Sequence, residues 1–278
     1  NIERLLTYLK LPRPVGYIHR DYLRAQQFNG VHADLRKTYR PCLPYPPVGN
    51  DENVVRELMG IALLADPKFK EAVAPYIDKS YLERLEAEVM ILAGRGDVET
   101  WASRLSPTAF QALRDRVDIR FAPGTPLYVA ADAAVTLPLQ LKNVDQLLVK
   151  TFEINTLNYY RDTGREVGGN INLDGLIAAS VEKVDLEASP LRRVERELPL
   201  PGCDKPGVYV VELIGNGTSS RAIIRKGHLR AVSRPTAVGT LCRVFDETGK
   251  PVPTASLWLG EREFSPDEKG RIVIPFSE

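Results

Sequence analysis

Little in this chain is suited to metal or redox chemistry. Among 278 residues there are three cysteines, Cys42, Cys203 and Cys242, and three histidines, His19, His32 and His228. The cysteines lie far apart, and no C-x-x-C pair exists to bind zinc or run a redox cycle. An odd number excludes a fully paired disulfide framework within one chain, so separate buried thiols are expected, with a single disulfide as the alternative. The histidines are scattered, which argues against a His-rich metal centre. Charge of either sign is not in excess: 37 basic against 36 acidic residues leave a formal net charge of +1. That provides no overall field for nucleic acid or an anionic membrane. No apolar run approaches the length of a membrane-spanning helix. The sequence opens Asn1-Ile2-Glu3, without an initiator Met or a signal peptide, and is expected to be a processed or excised piece.

What is present is an ordinary globular composition, 44% hydrophobic and 26% charged, over a length that suits two or three domains. Residues 1–116 carry helical periodicity. Ile2, Leu5, Leu6 and Leu9 share one face, and Pro12 and Pro14 end that helix. Residues 19–39 predict a second helix with Tyr22, Leu23, Phe28, Val31 and Leu35 as its apolar set, broken at Asn29-Gly30. Residues 40–49, RPCLPYPPVG, are too rich in proline for helix or central strand and read as an extended connector. Asp51 or Asn50 is expected to cap a helix built on Val54, Val55, Leu58, Ile61 and Leu64. Asp66-Pro67 opens another through Phe69, Val73 and Tyr76. Leu82, Leu85, Val89 and Leu92 mark a fifth that Gly94 stops. Residues 97–105 and 106–116 complete the region, with Ser106-Pro107 as cap and first-turn proline. Short turns between paired helices suggest a bundle, with no fixed repeat period.

Near Val117 the period changes to two. Val117, Ile119 and Phe121 alternate, and Pro123-Gly124 turns the chain. Val135, Leu137, Leu139 and Leu141 alternate with polar partners, and Pro138 places that strand at an edge or bulge. Residues 147–154 are apolar on both faces and predict a central strand. Residues 155–169 read as a polar loop tucked down by Leu157, Tyr159 and Tyr160, and 192–198 as a charged strand. The clearest local signal is 208–226, VYVVELIGNGTSSRAIIRK. Asn216-Gly217 suits a two-residue type I′ turn, since both central residues need positive φ. That turn sets Glu212 opposite Arg221, Val211 opposite Ala222 and Tyr209 opposite Ile224. One face is then Tyr209, Val211, Leu213, Ala222 and Ile224, which must pack on a second sheet. With 228–232 this makes about seven strands, an immunoglobulin-like size. After Arg234-Pro235 a second β unit has strands at 241–245, 255–259 and 272–276, with turns at 247–253 and 267–270. Leu257, Leu259, Ile272, Ile274 and Phe276 demand a partner surface, and Trp258 needs cover on the other face. The unit is therefore expected to lean on residues 117–234 or another chain, its remaining strands lying beyond Glu278.

Two segments carry a family resemblance. Pro206-Gly207-Val208-Tyr209-Val210-Val211 leads through the hairpin to Ile224-Arg225-Lys226-Gly227. Thr248-Gly249-Lys250-Pro251-Val252-Pro253-Thr254-Ala255 leads to Asp267-Glu268-Lys269-Gly270. Together they resemble the strand and hairpin of macroglobulin-like domains, and the opening of the following domain, in bacterial alpha-macroglobulin-like proteins. The resemblance spans 117–278 and implies a string of β-sandwich domains in a large exported protein, hence an extracytoplasmic location. Protease trapping in that family depends on a Cys-Gly-Glu-Gln thioester and a bait segment. The sequence has neither, and its helical 1–116 region departs from the pattern, so the resemblance implies only a scaffold.

Several short motifs have ordinary structural readings. His19-Arg20-Asp21 copies a kinase tripeptide, but the metal-holding Asn five residues past the Asp is replaced by Gln26. Asn170-Ile171-Asn172-Leu173-Asp174-Gly175 imitates the start of a calcium loop. Its first ligand is Asn, and the twelfth position is Val181 with Glu182 one place late. The expectation is a polar loop anchored by Ile171, Leu173 and Leu176, with no divalent metal needed for folding. Arg95-Gly96-Asp97 sits at a helix break, and Asn216-Gly217-Thr218 is explained by its turn. Glu83, Glu86 and Glu88 read as solvated helix-face carboxylates, with no acid–base pair among them. No nucleophile elbow exists.

The fold class expected is α+β multidomain: a helical domain at 1–116, an immunoglobulin- or macroglobulin-like antiparallel β-sandwich at 117–234, and a partial second β-sandwich at 235–278. The function expected is a non-catalytic structural or interaction segment of a larger exported bacterial protein. No catalytic, metal or cofactor residues are assigned. Partners are other domains of the parent or another protein, not nucleic acid, and this segment has no membrane span. Two other classes stay open: a hydrolase with a site between the helical and β parts, or a cell-surface module binding peptide or glycan through Trp101, Tyr159, Tyr160 or Trp258.

Overall fold

The helices begin and end where the chain supplies capping groups. The computed structural model describes residues 1–27, 33–37, 46–122, 125 and 127–276. In it α1 (Ile2–Leu9) starts at Asn1, whose side chain accepts from the Arg4 N–H. It is followed by α2 (Arg20–Gln27), α3 (Glu52–Ala65) and α4 (Phe69–Val73). Next, α5 (Lys79–Ala93) is capped by Asp78 and stopped by Gly94 in the left-handed region at φ 63°. Asp97 caps α6 (Val98–Ala102), and Ser106 with Pro107 opens α7 (Pro107–Asp115). Leu5, Leu9, Val55, Met59, Phe69, Val73, Leu82 and Leu85 form one apolar core, while Ile91, Leu92, Leu105 and Leu113 belong to a second. Gly60 lets α3 come close to α5, since a Cβ there would stand 3.1 Å from Val89 Cγ2.

Three details of the helical region differ from the pattern in the sequence. Helix α2 is short, and Leu35 lies in a turn rather than on its face. Helix α3 is apolar over more than one face. The face that turns inward carries Val55, Met59, Ala62 and Leu63, leaving Val54, Leu58 and Ile61 exposed. Asp51 stands at the start of α3 without capping it; Asn50 Oδ1 accepts the Glu52 N–H at 2.9 Å instead. Phe28, Asn29-Gly30, Val31, His32, Cys42, most of the 40–49 connector and Pro123-Gly124 lie outside the described residues.

The β region holds β1 (Asp118–Phe121), β2 (Tyr128–Val129), β3 (Thr136–Lys142), β4 (Gln146–Ile154), β5 (Ser180–Asp185), β6 (Val194–Pro199), β7 (Gly207–Gly215) and β8 (Thr218–Lys226). They form a five-stranded sheet in the order β2-β8-β7-β4-β5 and a three-stranded sheet in the order β1-β3-β6. All pairings are antiparallel except the short β2–β8 pair. Asn216 and Gly217 take φ 47° and 77°, and the hairpin pairs Glu212 with Arg221, Val211 with Ala222 and Tyr209 with Ile224, as the turn requires. Tyr209, Val211, Leu213 and Ile224 meet Ile119, Leu137, Leu139 and Leu141 of the opposing sheet in a shared core. The chain is thus a helical region followed by immunoglobulin-like antiparallel sheets.

The outer face of β7 is also buried, which the alternating pattern of the hairpin does not announce. Val210 packs with Phe152, Val167, Ile171 and Leu173, and Tyr159 adds to that cluster. The segment read as a polar loop contains a helix, α8 (Thr156–Thr163), with Asn155 accepting from the Asn158 N–H and Gly164 in the left-handed region. Ile171 and Leu173 anchor the following loop, whereas Leu176 is exposed. Pro138 lies in the middle strand of its sheet, not at an edge. The register places it opposite Ala122, one residue past the end of β1. Its carbonyl still accepts from the Ala122 N–H, and the Ala122 carbonyl that would have taken a proline N–H accepts from Thr125 Oγ1 instead.

The C-terminal strands are β9 (Arg230–Thr236), β10 (Gly239–Phe245), β11 (Leu257–Leu259), β12 (Arg262–Phe264) and β13 (Ile272–Ile274). Strand β9 runs straight through Arg234-Pro235 and pairs with β10, not with the larger sandwich. Its proline is tolerated because β9 is the edge of the β13-β10-β9 sheet. The β11–β12 hairpin turns on Gly260 and Glu261, both at positive φ. A glutamate is an unusual choice there, and β12 is not signalled by the sequence. Cys242, Val244 and Ile272 make a small core, Trp258 lies under the Arg161 guanidinium at 4.2 Å, and Phe276 is exposed.

By internal contacts the molecule divides into two units: Asn1–Arg116 with Pro190–Arg193, and Val117–Ser189 with Val194–Glu278. Pro190–Arg193 belongs to the helical unit through Leu191, packed on the second helical core, and the Arg193 N–H, which donates to the Leu92 carbonyl at 2.8 Å.

Leu213→Ala is expected to cost about 2–5 kcal/mol in urea denaturation, because Leu213 is fully buried between the sheets. Gly217→Ala should cost only about 1–2 kcal/mol, the penalty for a side chain at positive φ in otherwise open space.

Candidate interaction surface

The densest polar constellation is buried in the helical unit. Arg13 is fully buried, and Tyr17 and Asp51 nearly so. Asp51 Oδ2 accepts the hydroxyls of Tyr8 at 2.7 Å and Tyr17 at 2.5 Å, and stands 3.6 Å from Arg13 Nε. Arg13 donates to the Tyr17 hydroxyl at 2.9 Å and to the Tyr8 carbonyl, with its guanidinium 4.0 Å over the Tyr8 ring. Burial, reinforced by the hydrogen bond to Asp51, pushes the Tyr8 hydroxyl up to about 12 and raises that of Tyr17 as well. Two phenols and a carboxylate at this distance resemble proton-transfer machinery. Their burial and their bonds to one another make them instead the polar core that ties α1 and the following turn to the start of α3, with Asp51 Oδ1 left without a hydrogen bond. This is why Asp51 does not cap its helix. The tyrosines at this spacing do not advertise it, and an Arg between two prolines is the only hint.

Glu86 and Glu88 are likewise not solvated. Glu86 holds Lys70 at 2.6 Å and Arg104 at 3.1 Å, and Glu88 pairs with Arg56. Asp97 of Arg95-Gly96-Asp97 caps α6, and Arg95 donates to the Leu64 carbonyl at 2.8 Å. Asn172 Oδ1 accepts the Asp174 N–H at 3.0 Å, and Arg221 sets its guanidinium on the Ile171 carbonyl at 3.1 Å while also holding Glu212. His19 Nδ1 faces the Tyr22 N–H at 3.5 Å, and His228 packs edge-on to Tyr128. Cys203 and Cys242 are separate buried thiols, and burial raises Cys203 to about 11. The aromatics weighed for a glycan site fall in both units, Trp101 in the helical one and Tyr159, Tyr160 and Trp258 in the other, where Tyr160 is exposed. Trp101 donates to the Arg95 carbonyl under Arg104, Tyr159 packs inward, and Trp258 is covered by Arg161.

The helical unit also leaves an apolar surface open to a partner. On α3, Val54, Leu58, Ile61 and Ala65 follow i, i+4, i+7, i+11 spacing and share one outward face. Val54, Leu58 and Ile61 are 63%, 44% and 49% exposed. An apolar stripe of this kind on a helix already packed through its other face has the form of a docking seam.

Residues 1–117 match the family model for the Actin-binding protein F N-terminal domain, and residues 147–227 match that for the AbpF first immunoglobulin-like domain. The chain is 32% identical over 278 residues to Actin-binding protein F of Dictyostelium discoideum, an alignment that takes in 97% of this chain. It spans 11% of the length of that curated relative. Among solved structures, native alpha-2-macroglobulin from Escherichia coli spanning domains MG0-NIE-MG1 is 14% identical, with 59% of this chain and 58% of that one covered and a TM-score of 0.38. A second, spanning NIE-MG1, is also 14% identical, covering 59% and 88% at a TM-score of 0.35.

Asp51→Ala leaves Arg13 buried without its carboxylate and is expected to cost about 3–5 kcal/mol in denaturant unfolding, against about 1 kcal/mol for Asn50→Ala. Stability should also fall at high pH. The unfolded tyrosine ionises near its ordinary value of 10 while folded Tyr8 holds its proton to about 12, so stability present below pH 10 is lost as pH rises towards 12. Thermal melts between pH 9 and 12 check this, and Tyr8→Phe should flatten the decline.

Proposed function

We propose that this chain is a non-catalytic interaction segment of a larger protein and that its helical unit contributes to binding actin filaments. The observation that carries the reading is the exposed stripe of Val54, Leu58, Ile61 and Ala65. It lies inside the stretch that matches the Actin-binding protein F N-terminal domain. The buried ion pairs and tyrosines of the same unit are used in its own packing, whereas the stripe is an apolar surface whose contacts are unmet. The sandwich then serves as a rigid spacer, its two apolar faces both covered from within. The alternative is an exported, macroglobulin-like scaffold, favoured by the hairpin at 206–227 and the turn pattern at 248–270. Fractionation of cells producing the full-length protein separates the two, secretion favouring the scaffold.

The direct test is co-sedimentation with purified actin filaments. The chain is expected to pellet with filaments, and Leu58→Glu with Ile61→Glu to reduce binding by about tenfold or more, with circular dichroism unchanged. A chain that stays in the supernatant, or a double variant that binds as well as the parent, would overturn the reading.

A further inference from the structure

The sheet β13-β10-β9 presents a second surface of different character. Its inner side carries Cys242, Val244 and Ile272 into the small C-terminal core. The registers Arg230↔Phe245, Val232↔Arg243, Arg234↔Leu241 and Leu241↔Val273 therefore place these seven side chains together on the outer side. Arg230, Val232, Arg234, Arg243 and Val273 are exposed. No carboxylate occurs in RAVSRPT, GTLCRVF or IVI. Of the acids in the bordering turns, Asp246, Glu247 and Asp267 are already engaged, leaving Glu268. Asp246 accepts from Thr248 and Lys250, Asp267 from Lys269 and Arg271, and Glu247 from the Ala131 N–H. Among the described residues, the side chains of Arg230, Arg234 and Arg243 form no hydrogen bond or ion pair. In a chain whose charges otherwise balance, three free guanidiniums set among aliphatic side chains form a locally basic, half-apolar face.

We propose that this face docks an acidic protein segment in which carboxylates alternate with aliphatic residues. The carboxylates would pair with Arg230, Arg234 and Arg243, and the aliphatic side chains would cover Val232, Leu241 and Val273. Strand β9 is the open edge of its sheet, so an extended segment can add alongside it. An acidic-x-aliphatic-x-acidic pattern then falls in step with Arg230, Val232 and Arg234, because alternate residues share a face. A nucleic acid fits less well: the bases would need exposed rings to stack on, and Phe245 is half-buried. The inference rests on the chain being an interaction segment, but not on actin being its partner.

The test is titration of the isotopically labelled 278-residue chain, followed by NMR. The probes are a peptide repeating Glu-Thr-Val-Thr, its Lys-Thr-Val-Thr counterpart and single-stranded oligouridine. The acidic peptide is expected to shift resonances at 230–234, 241–245 and 273, with affinity falling as salt rises, and the lysine peptide to leave them still. Arg230→Glu, Arg234→Glu and Arg243→Glu together should weaken binding by about tenfold or more, while the triple change to lysine should keep most of it. Should the charge-reversed chain misfold, the lysine variant against a triple change to glutamine gives the same comparison on neutral ground. Equal response to both peptides, tighter binding of the oligonucleotide, or an unchanged affinity on charge reversal would overturn the proposal. A chain that ignores actin filaments yet takes the acidic peptide on this face supports it while overturning the actin reading.

Discussion

The β region depends on one constraint: β7 has no face to give to water. Val210 and Val211 are adjacent in sequence, point to opposite sides of the sheet and are both fully buried. Burying one side needs an opposing sheet, which β1, β3 and β6 supply. Burying the other needs a second cover, and the chain between β4 and β5 provides it through Val167, Ile171, Leu173 and Tyr159. The 155–179 segment is therefore a lid on the sandwich, and helix α8 is how its first part is stiffened. Arg221 and Arg225 fasten it further by donating to the carbonyls of Ile171 and Val167. Without that cover Val208, Val210 and Phe152 would form an apolar patch on an otherwise polar sheet face.

The helical unit answers to a different constraint. Its first core contains a fully buried guanidinium, which apolar packing alone cannot accommodate. Asp51 is drawn off its capping position to balance Arg13, and Tyr8 and Tyr17 both donate to its Oδ2. Asn50 satisfies the Glu52 N–H at the same helix start. A substitution at any one of these groups leaves others buried and unpaired, so the set stands or falls together. The Ile18–Ile77 bridge and the hydrogen bonds from His19 N–H to Tyr76 and from Asp78 N–H to Tyr17 secure the same corner from the other side.

Local chemistry was legible where one residue type decides the conformation. Asn216-Gly217 specified both a turn and a register, Gly94 and Ser106-Pro107 marked helix ends, and the change of period near Val117 separated helix from strand. What could not be read were choices among equivalent faces. Helix α3 has enough aliphatic residues for two stripes, and which one is buried depends on neighbours far away in sequence. Asp51 looked like a cap because nothing local reveals a buried arginine that needs it. Helix α8 hid behind polar residues, although Asn155 and Gly164 bracketed it. Strand β9 was cut short at a proline that an edge strand tolerates, and with it went the basic face. Its period-two signal, Arg230, Val232, Arg234 opposite Leu241, Arg243, Phe245, was present throughout.

The two open surfaces arise from the same rule applied to opposite chemistries. Several ionisable groups here are committed: Glu86 and Glu88 to cations, Asp78 and Asp97 to helix starts, Asp246 and Asp267 to tight turns. Those turn and cap aspartates have lowered pKa values because hydrogen bonds from neighbouring donors favour the charged form, so they remain anionic and occupied. Where acids are used locally, the balance of charge over the whole chain says nothing about any one face. Arg230, Arg234 and Arg243 are left as cations without counterparts, just as Val54, Leu58 and Ile61 are left as aliphatics without neighbours. Single exposed aliphatics such as Leu127, Ile177 and Val238 also occur, but regular spacing, i, i+4, i+7 on a helix and period two on a sheet, sets these two surfaces apart from the ordinary irregularity of a protein exterior.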